Sequence, residues 1–552
     1  MILWNSKMRF DYIVVGAGSA GCLLANRLSE SGSHKVCLLE AGPKDLNPFI
    51  HIPAGFTKTI TDKRVNWLYQ TEPSWGTNGR SIPTPRGKVI GGSSSINGLV
   101  FNRGHREDFN YWAQKGNNGW SYDDLLPFFR KLENYNPTSS IDYLDDGKES
   151  FFRGTRGELT VTDLRWRDPL CEAFIAAAES LGIPKNYDYN GSNQEGVSYV
   201  QRTTKGRFRV SSAQAFLKPA KNRKNLHVIS SALVTTIVLK DRRAVGVKFK
   251  KASRNNKEKT IYCDREVIIS CGAINSPQLL QISGIGPGSL LSSKDIKVQH
   301  DLFGVGENLR DHFGTRLTAR AKNVRTVNES SHGFRLFREI LNYGLGRKSI
   351  LELGPTLVYC FWHSDERVKN NDLQITFTPA SYAKGQQAKL DKEPGFSIAT
   401  WPQRPESSGW VRVKSADPFD KPVIQPNYLS SEKDQRVLIS GIKLSRKIMN
   451  SSALAKYFSH EVYPGEHIYS EEELLEVARN RSTTTYHVMG TCRMAPLERD
   501  STAVVDEKLR VYGLSNLRVI DASVMPMIPS ANINAAVLAI AEKGAHMILS
   551  DS

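Results

Sequence analysis

The sequence predicts an α/β protein whose chain begins in a doubly wound, nucleotide-binding unit. Three observations predict it. Phe10–Val15 (FDYIVV) is a nearly continuous apolar run rich in β-branched residues, the pattern of a parallel strand buried on both faces. Gly16-Ala17-Gly18-Ser19-Ala20-Gly21 follows at once, and Leu24, Ala25 and Leu28 then recur at helical spacing. The length of 552 residues exceeds what one small core supports, so two domains are expected.

Each part of the opening unit has a physical task. Gly16 permits a tight turn, Gly18 lets backbone approach a pyrophosphate, and Gly21 lets helix and strand pack closely. The helix N-terminus offers free N–H groups and the positive end of its dipole. A second strand, Lys35–Leu39, ends at Glu40, which is placed to accept hydrogen bonds from ribose hydroxyls. Strand, glycines, helix, strand and acid in this order predict a dinucleotide site without separating FAD from NAD.

Bulk composition narrows the class. Hydrophobic residues make up 39% and charged residues 24%, ordinary for a globular chain. Lys+Arg 74 against Asp+Glu 56 leaves a formal charge of +18. The basic residues are scattered; the densest run, Lys250-Lys251-Ala252-Ser253-Arg254 continuing to Lys257 and Lys259, reads as a solvated hairpin loop. No nucleic-acid motif accompanies it, so no nucleic-acid partner is expected. Peripheral attachment to a membrane through the positive charge stays open. The seven cysteines are widely spaced and never form C-x-x-C, which argues against a disulfide framework and a zinc site and for a reducing compartment. Met1–Arg9 is too short and mixed for a signal peptide, and no stretch approaches the roughly 20 apolar residues of a membrane span. A cytoplasmic protein is expected, with Met8 as an alternative start and the first seven residues dispensable.

Six further stretches carry a family resemblance: RGKVIGGSSSIN (86–97), CGAINSPQLLQISGIG (271–286), GVGENLRDH (304–312), RPESSGWVRVKSADPFDKPVIQPNYL (404–429), HVMGTCRM (487–494) and VIDASVMPMIPSANINA (519–535). In this order the chain resembles the glucose–methanol–choline (GMC) oxidoreductases from about Phe10 to Ile548, and is similar above all to bacterial choline-dehydrogenase-like FAD alcohol oxidoreductases. The resemblance implies an FAD-binding, Rossmann-like domain (8–160, 220–315 and 480–552) interleaved with an α+β substrate domain built on a large antiparallel sheet (161–219 and 316–479). Strand-like runs agree with it at Leu226–Leu239, Val245–Phe249, Thr260–Ser270, Asp372–Phe377 and Gly409–Val413, the last two assigned to the second sheet. Val437–Met449 and Ala535–Ile548 have helical spacing.

The resemblance also assigns residues. It implies FAD contacts from Gly16, Gly18, Ser19, Ala20, Gly21, Glu40 and Ala41 in the opening unit. Arg86, Gly91, Gly92, Ser93, Asn97, Gly98 and Val100 match the segment that lies against the flavin and its pyrophosphate, where small residues let backbone touch a planar ring. Some relatives bear a histidine there that bonds the flavin; Ile96 stands in its place, so FAD is expected to be held non-covalently. Val234 matches the strand residue whose backbone meets adenine, Asp521 and Ala522 the turn at the ribityl and phosphate region, and Asn534 and Ala535 the pyrimidine edge. Cys492 reads as a small buried residue beneath the ring.

His487 matches the family's catalytic histidine, and Asn532 the second active-site position, with Asn534 as its rival. Alcohol oxidation needs the hydroxyl proton to leave as hydride departs from the same carbon; imidazole suits the first task, and an amide can hold the oxygen. The expected reaction takes a primary alcohol to an aldehyde, with dioxygen or a quinone-like carrier as the final acceptor. Choline-oxidising relatives carry an acid in the substrate sheet, whereas Thr356–Trp362 holds none, which argues against choline. Leu357, Tyr359 and Phe361 alternate in that strand and are expected to form one wall for an apolar or aromatic alcohol. Two alternatives stay open: a lyase or photodecarboxylase on the same fold, and a non-catalytic flavin-binding protein.

Overall fold

The computed structural model describes residues 8–136, 149–251, 253–383 and 389–551. The opening segment read as dispensable lies outside them. Two seven-stranded sheets organise the described residues, each with its own hydrophobic core.

The first sheet has a parallel half and an antiparallel half. Leu226–Ile229, Val36–Leu39, Arg9–Val15 and Lys259–Ile269 pair in parallel, and Leu517–Val519 adds on the far side of Lys259–Ile269. The long strand Lys259–Ile269 also pairs antiparallel with Arg243–Lys251, which pairs with Ala232–Lys240. Its apolar second half is therefore buried among parallel neighbours, while its first half closes a hairpin. Helix Ser19–Leu28 leaves the first strand through the glycine turn and packs on the terminal helix Asn534–Ser550.

The second sheet runs antiparallel throughout, in the order Phe458–Tyr463, Phe313–Ala321, Gly395–Pro402, Leu373–Thr378, Val358–Trp362 and Gly196–Tyr199. Helix Glu432–Met449 covers one face. Its opposite face turns toward the first unit.

Two expectations are corrected. Leu226–Leu239 is two strands: Ser231 adopts φ +53°, and its N–H donates to the Gly42 carbonyl, so the chain turns and the second strand joins the antiparallel edge. Trp410–Arg412 is not in the second sheet. It pairs with Val423–Gln425, because the Ser415–Lys421 turn closes a local hairpin, and Val413 N–H donates to Gln281 Oε1 on helix Gly272–Ile282. Thr483–Thr484 pairs with Phe313–Gly314, the head of the strand Phe313–Ala321, and so attaches to the second sheet. Of the basic run expected as a loop, Lys250 and Lys251 end one antiparallel strand and Lys259 begins the next, while Arg254 in the exposed turn is ion-paired to Asp417 and Asp420.

Candidate active site

One cavity of about 410 Å³ runs from the glycine turn to His487. Gly16, Gly18, Ser19, Ala20, Glu40, Ala41, Arg86, Gly92, Ser93, Asn97, Gly98, Val100, Val234, Asp521, Ala522 and Asn534 line it, together with His487, Asn532 and Tyr359. Gly21, Gly91 and Ala535 stand behind the lining. A Cβ on Gly21 would fall 1.8 Å from the Gly16 carbonyl oxygen, so this glycine serves helix–strand packing. Leu357 and Phe361 are also outside the lining: both are buried in the second core, and Phe361 packs 5.6 Å from the Tyr189 ring. Of the three wall residues expected from strand alternation, the cavity receives Tyr359. Cys492 is fully buried outside the lining.

The nucleotide end has the features a dinucleotide needs. Helix Ser19–Leu28 opens on the cavity with no side-chain cap at Gly18 and no acid in its first turn, leaving its amides and dipole to a phosphate. A Cβ on Gly18 would meet nothing closer than 3.9 Å, whereas one on Gly92 would strike Gly18 Cα at 2.6 Å. The two loops thus cross at backbone distance. Glu40 accepts the N–H groups of Ala17 (2.9 Å) and Gly42 (2.8 Å), so the acid expected at the ribose also holds the turn; burial pushes its carboxyl up to about 7. Each of its oxygens keeps a lone pair for a hydroxyl. Asp521 accepts from Gly272 N–H (2.8 Å), Ser276 hydroxyl (2.5 Å) and Ser523 N–H (2.8 Å). Ser19 Oγ donates to Asn534 Oδ1 at 2.7 Å, which ties the first helix to the last. Arg86 lines the cavity with Nε and Nη2 buried and without a hydrogen-bond partner among the described residues. A desolvated guanidinium edge facing a cavity fits the electron-rich, hydrogen-bond-accepting FAD expected from the sequence.

At the other end five groups form a chain whose hydrogen positions follow from the partners. His312 Nε2 lies 2.8 Å from the Gln403 carbonyl oxygen, which can only accept, so Nε2 carries the hydrogen. Burial pushes His312 down to about 4, so the ring is neutral and its Nδ1 is an acceptor. That nitrogen faces His487 Nδ1 at 2.9 Å, and one of the two must donate. The hydrogen therefore sits on His487 Nδ1. Thr485 Oγ1, 2.9 Å from the same nitrogen, gives its own proton to the His312 carbonyl at 3.1 Å and so offers a lone pair there too. Burial, reinforced by His312 and Arg86, holds His487 well below the ordinary histidine range. It is neutral, and Nε2 presents a bare lone pair. Asn532 Nδ2 lies 3.1 Å from that lone pair, and the Tyr359 hydroxyl donates to Asn532 Oδ1 at 2.7 Å, which fixes the amide's orientation. The structure brings Asn532 to His487 and Asn534 to Ser19.

The backbone at the site is tightly held. Tyr486 has φ +71°, a left-handed conformation uncommon outside glycine. Asp311 anchors the turn by accepting His487 N–H (2.7 Å), the Tyr428 hydroxyl (2.6 Å) and the Thr484 hydroxyl. Asp311, His312 and Thr485 were given no role from sequence, although Asp311 and His312 end the motif GVGENLRDH. The missing signal was spatial: His312 and His487 are 175 residues apart.

Across the second sheet Tyr359, Thr376, Ala399 and Arg316 are register partners in one row. All four line the cavity, and three strand spacings of about 4.8 Å separate the ends. Arg316 is half-buried beside Tyr382, 4.2 Å from its ring, and has no carboxylate partner among the described residues.

The chain is similar to known proteins along nearly its whole length. The chain is 41% identical over 542 residues to an alcohol dehydrogenase [acceptor] of Pseudomonas putida, covering 98% of this chain and 96% of that protein. It is 39% identical to the mitochondrial choline dehydrogenase of Homo sapiens, covering 99% and 90%. Among solved structures, pyridoxine 4-oxidase from Mesorbium loti superposes with a TM-score of 0.86 at 30% identity, covering 97% of this chain and 98% of that one. A formate oxidase variant from Aspergillus oryzae RIB40 superposes at 0.90 and 27% identity, covering 99% of each. Residues 10–314 and 405–541 match the two GMC oxidoreductase family descriptions. A glycine turn feeding a long cavity that ends at a paired histidine and asparagine thus belongs to a chain that is a member of the GMC oxidoreductase family.

Proposed function

We propose that the protein oxidises a primary alcohol to an aldehyde, with His487 accepting the hydroxyl proton and Asn532 holding the oxygen. One observation carries this reading: a buried, neutral His487 presents an unprotonated Nε2 to the cavity beside a donor amide. A substrate hydroxyl placed at Nε2 gives up its proton there, and the Asn532 N–H turns to the oxygen as negative charge gathers on it. Tyr359 keeps the amide turned this way. Thr485 and His312 accept the hydrogen on the far side of the ring and stabilise the imidazolium that forms. FAD, held non-covalently along the cavity, supplies the hydride acceptor. Dioxygen or a quinone-like carrier then takes the electrons onward. The +18 charge supports peripheral contact with a membrane.

The substrate is an uncharged or aromatic alcohol rather than choline. Of the lining residues, the carboxylates are Glu40 and Asp521, both at the nucleotide end, whereas the wall that faces His487 carries the cation Arg316.

Anaerobic flavin bleaching tests the reading. Aliphatic and aromatic primary alcohols should bleach the flavin, and choline should do so far more slowly. His487→Ala should slow reduction by about 10²–10⁴-fold and Asn532→Ala by about 10²-fold, with the flavin spectrum retained. Unchanged reduction in His487→Ala removes the mechanism. Fast return of colour in air marks an oxidase, slow return a dehydrogenase.

A further inference from the structure

Helix Gly333–Gly344 turns its apolar side outward. Phe334 is 81% exposed, Phe337 53%, Leu341 48% and Leu345, just past its end, 67%. At about 100° per residue these four fall on one stripe, while Glu339 and Tyr343 lie on the opposite, buried side. An ordinary surface helix has the reverse arrangement. The inner side is pinned by polar bonds: Tyr343 hydroxyl to the Arg207 carbonyl (2.9 Å), Ser349 hydroxyl to the Glu339 carbonyl (2.8 Å), and Ile350 N–H to Glu339 Oε2 (3.0 Å). The outward stripe is therefore a feature of the docked helix.

The helix's own exposed charges beside the stripe are all cationic, and Arg335 also meets Glu329 of the preceding turn at 3.7 Å. Arg335, Arg338, Arg347 and Lys348 are exposed, and Glu339, the single acid between Gly333 and Lys348, points inward. Arg338 and Arg347 have no carboxylate partner among the described residues. On the inner side Phe208, 46% exposed, has its ring 6.2 Å from Tyr343.

We propose that this helix lies in the plane of an anionic lipid bilayer, with Phe334, Phe337, Leu341 and Leu345 in the acyl boundary and the flanking arginines at the headgroups. An apolar stripe rimmed by cations is complementary to such a surface. Among the described residues no helix is long and apolar enough to cross a membrane, so attachment here is in-plane. The proposal rests on the peripheral membrane reading and gives it an address. From the helix the chain passes through Ile350–Glu352 to Pro355 and Thr356 on the cavity wall.

Co-sedimentation of the holoenzyme with phosphatidylcholine vesicles, with and without phosphatidylglycerol, tests it. The wild type should pellet with the anionic vesicles at low salt. Phe334→Ser/Phe337→Ser/Leu341→Ser should weaken binding by about tenfold or more, and Arg335→Gln/Arg338→Gln/Arg347→Gln should flatten its salt dependence. Both variants should keep wild-type turnover with a soluble acceptor, since the altered side chains are exposed. A wild type left in the supernatant removes the membrane reading itself. Wild-type binding by the serine variant removes this helix as the surface, and so does a wild-type dimer that the serine variant converts to monomer without loss of vesicle binding.

Discussion

A hydrogen on His487 Nδ1 needs an acceptor behind it, and His312 provides one because the Gln403 carbonyl holds the His312 hydrogen at the other nitrogen. Removing His312 frees the His487 tautomer. His312→Ala should lower the rate of flavin reduction by about 10–100-fold, the size typical of losing an outer hydrogen-bond partner, while FAD stays bound and KM changes little. Stopped-flow reduction against substrate concentration separates these effects. The pH profile follows from the same residues. A depressed pKa means that His487 stays an unprotonated base at pH values where a free histidine is charged, so kcat/KM should hold level through about pH 6.5 and fall only below it. Stability has the same sign. Unfolded histidine takes up a proton near pH 6.5, and folded His312 only near about 4. Stability is therefore fully present above 6.5 and falls as pH drops toward 4.

At the scale of elements, the glycine turn separates two tasks that sequence treats alike. Gly18 faces open cavity, while Gly21 faces the Gly16 carbonyl. Gly18→Ala should fold with near-native thermal stability and lose flavin affinity, since its methyl enters the space of the pyrophosphate. Gly21→Ala should lower stability by about 1–3 kcal/mol through overpacking. Thermal melts of flavin-free protein and flavin titration distinguish the two; equal behaviour would mean that the turn is one undivided unit. The second sheet shows the limit of alternation. Leu357, Tyr359 and Phe361 alternate as expected, yet on that strand only the Tyr359 side chain reaches the cavity, and Leu357 and Phe361 are closed over by the second core.

Over the whole molecule, the site lies where two cores meet. Val488 and Ile533 belong to the first and Tyr359 to the second, and the bond from Tyr359 to Asn532 crosses between them. A buried ion cluster helps to join the chain around this seam: Glu133 accepts from both Arg103 and Arg153, and Arg153 also pairs with Asp188 at 2.7 Å. All four are buried. Glu133→Ala strands the desolvated Arg103 guanidinium, leaves Arg153 to Asp188 alone, and should cost about 3–5 kcal/mol, read as a drop in denaturation midpoint. A loss below about 1 kcal/mol would show that water enters to replace the carboxylate.

The nucleotide turn was legible from residues alone because its chemistry is local: a strand, three glycines and a helix within one short stretch specify their own geometry. His487 and Asn532 were singled out through motifs, and they lie side by side at the end of the cavity. Which nitrogen of His487 is bare was not legible in the sequence, because that depends on His312, brought near by the pairing of Phe313–Gly314 with Thr483–Thr484. Periodicity likewise could not orient helix Gly333–Gly344. Helical spacing reveals an apolar stripe but not its direction, and polar anchors at Glu339 and Tyr343 turned it to the outside. Local backbone preferences are written in neighbouring residues; the environment of a side chain is set by partners far along the chain, and only the tertiary structure assembles them.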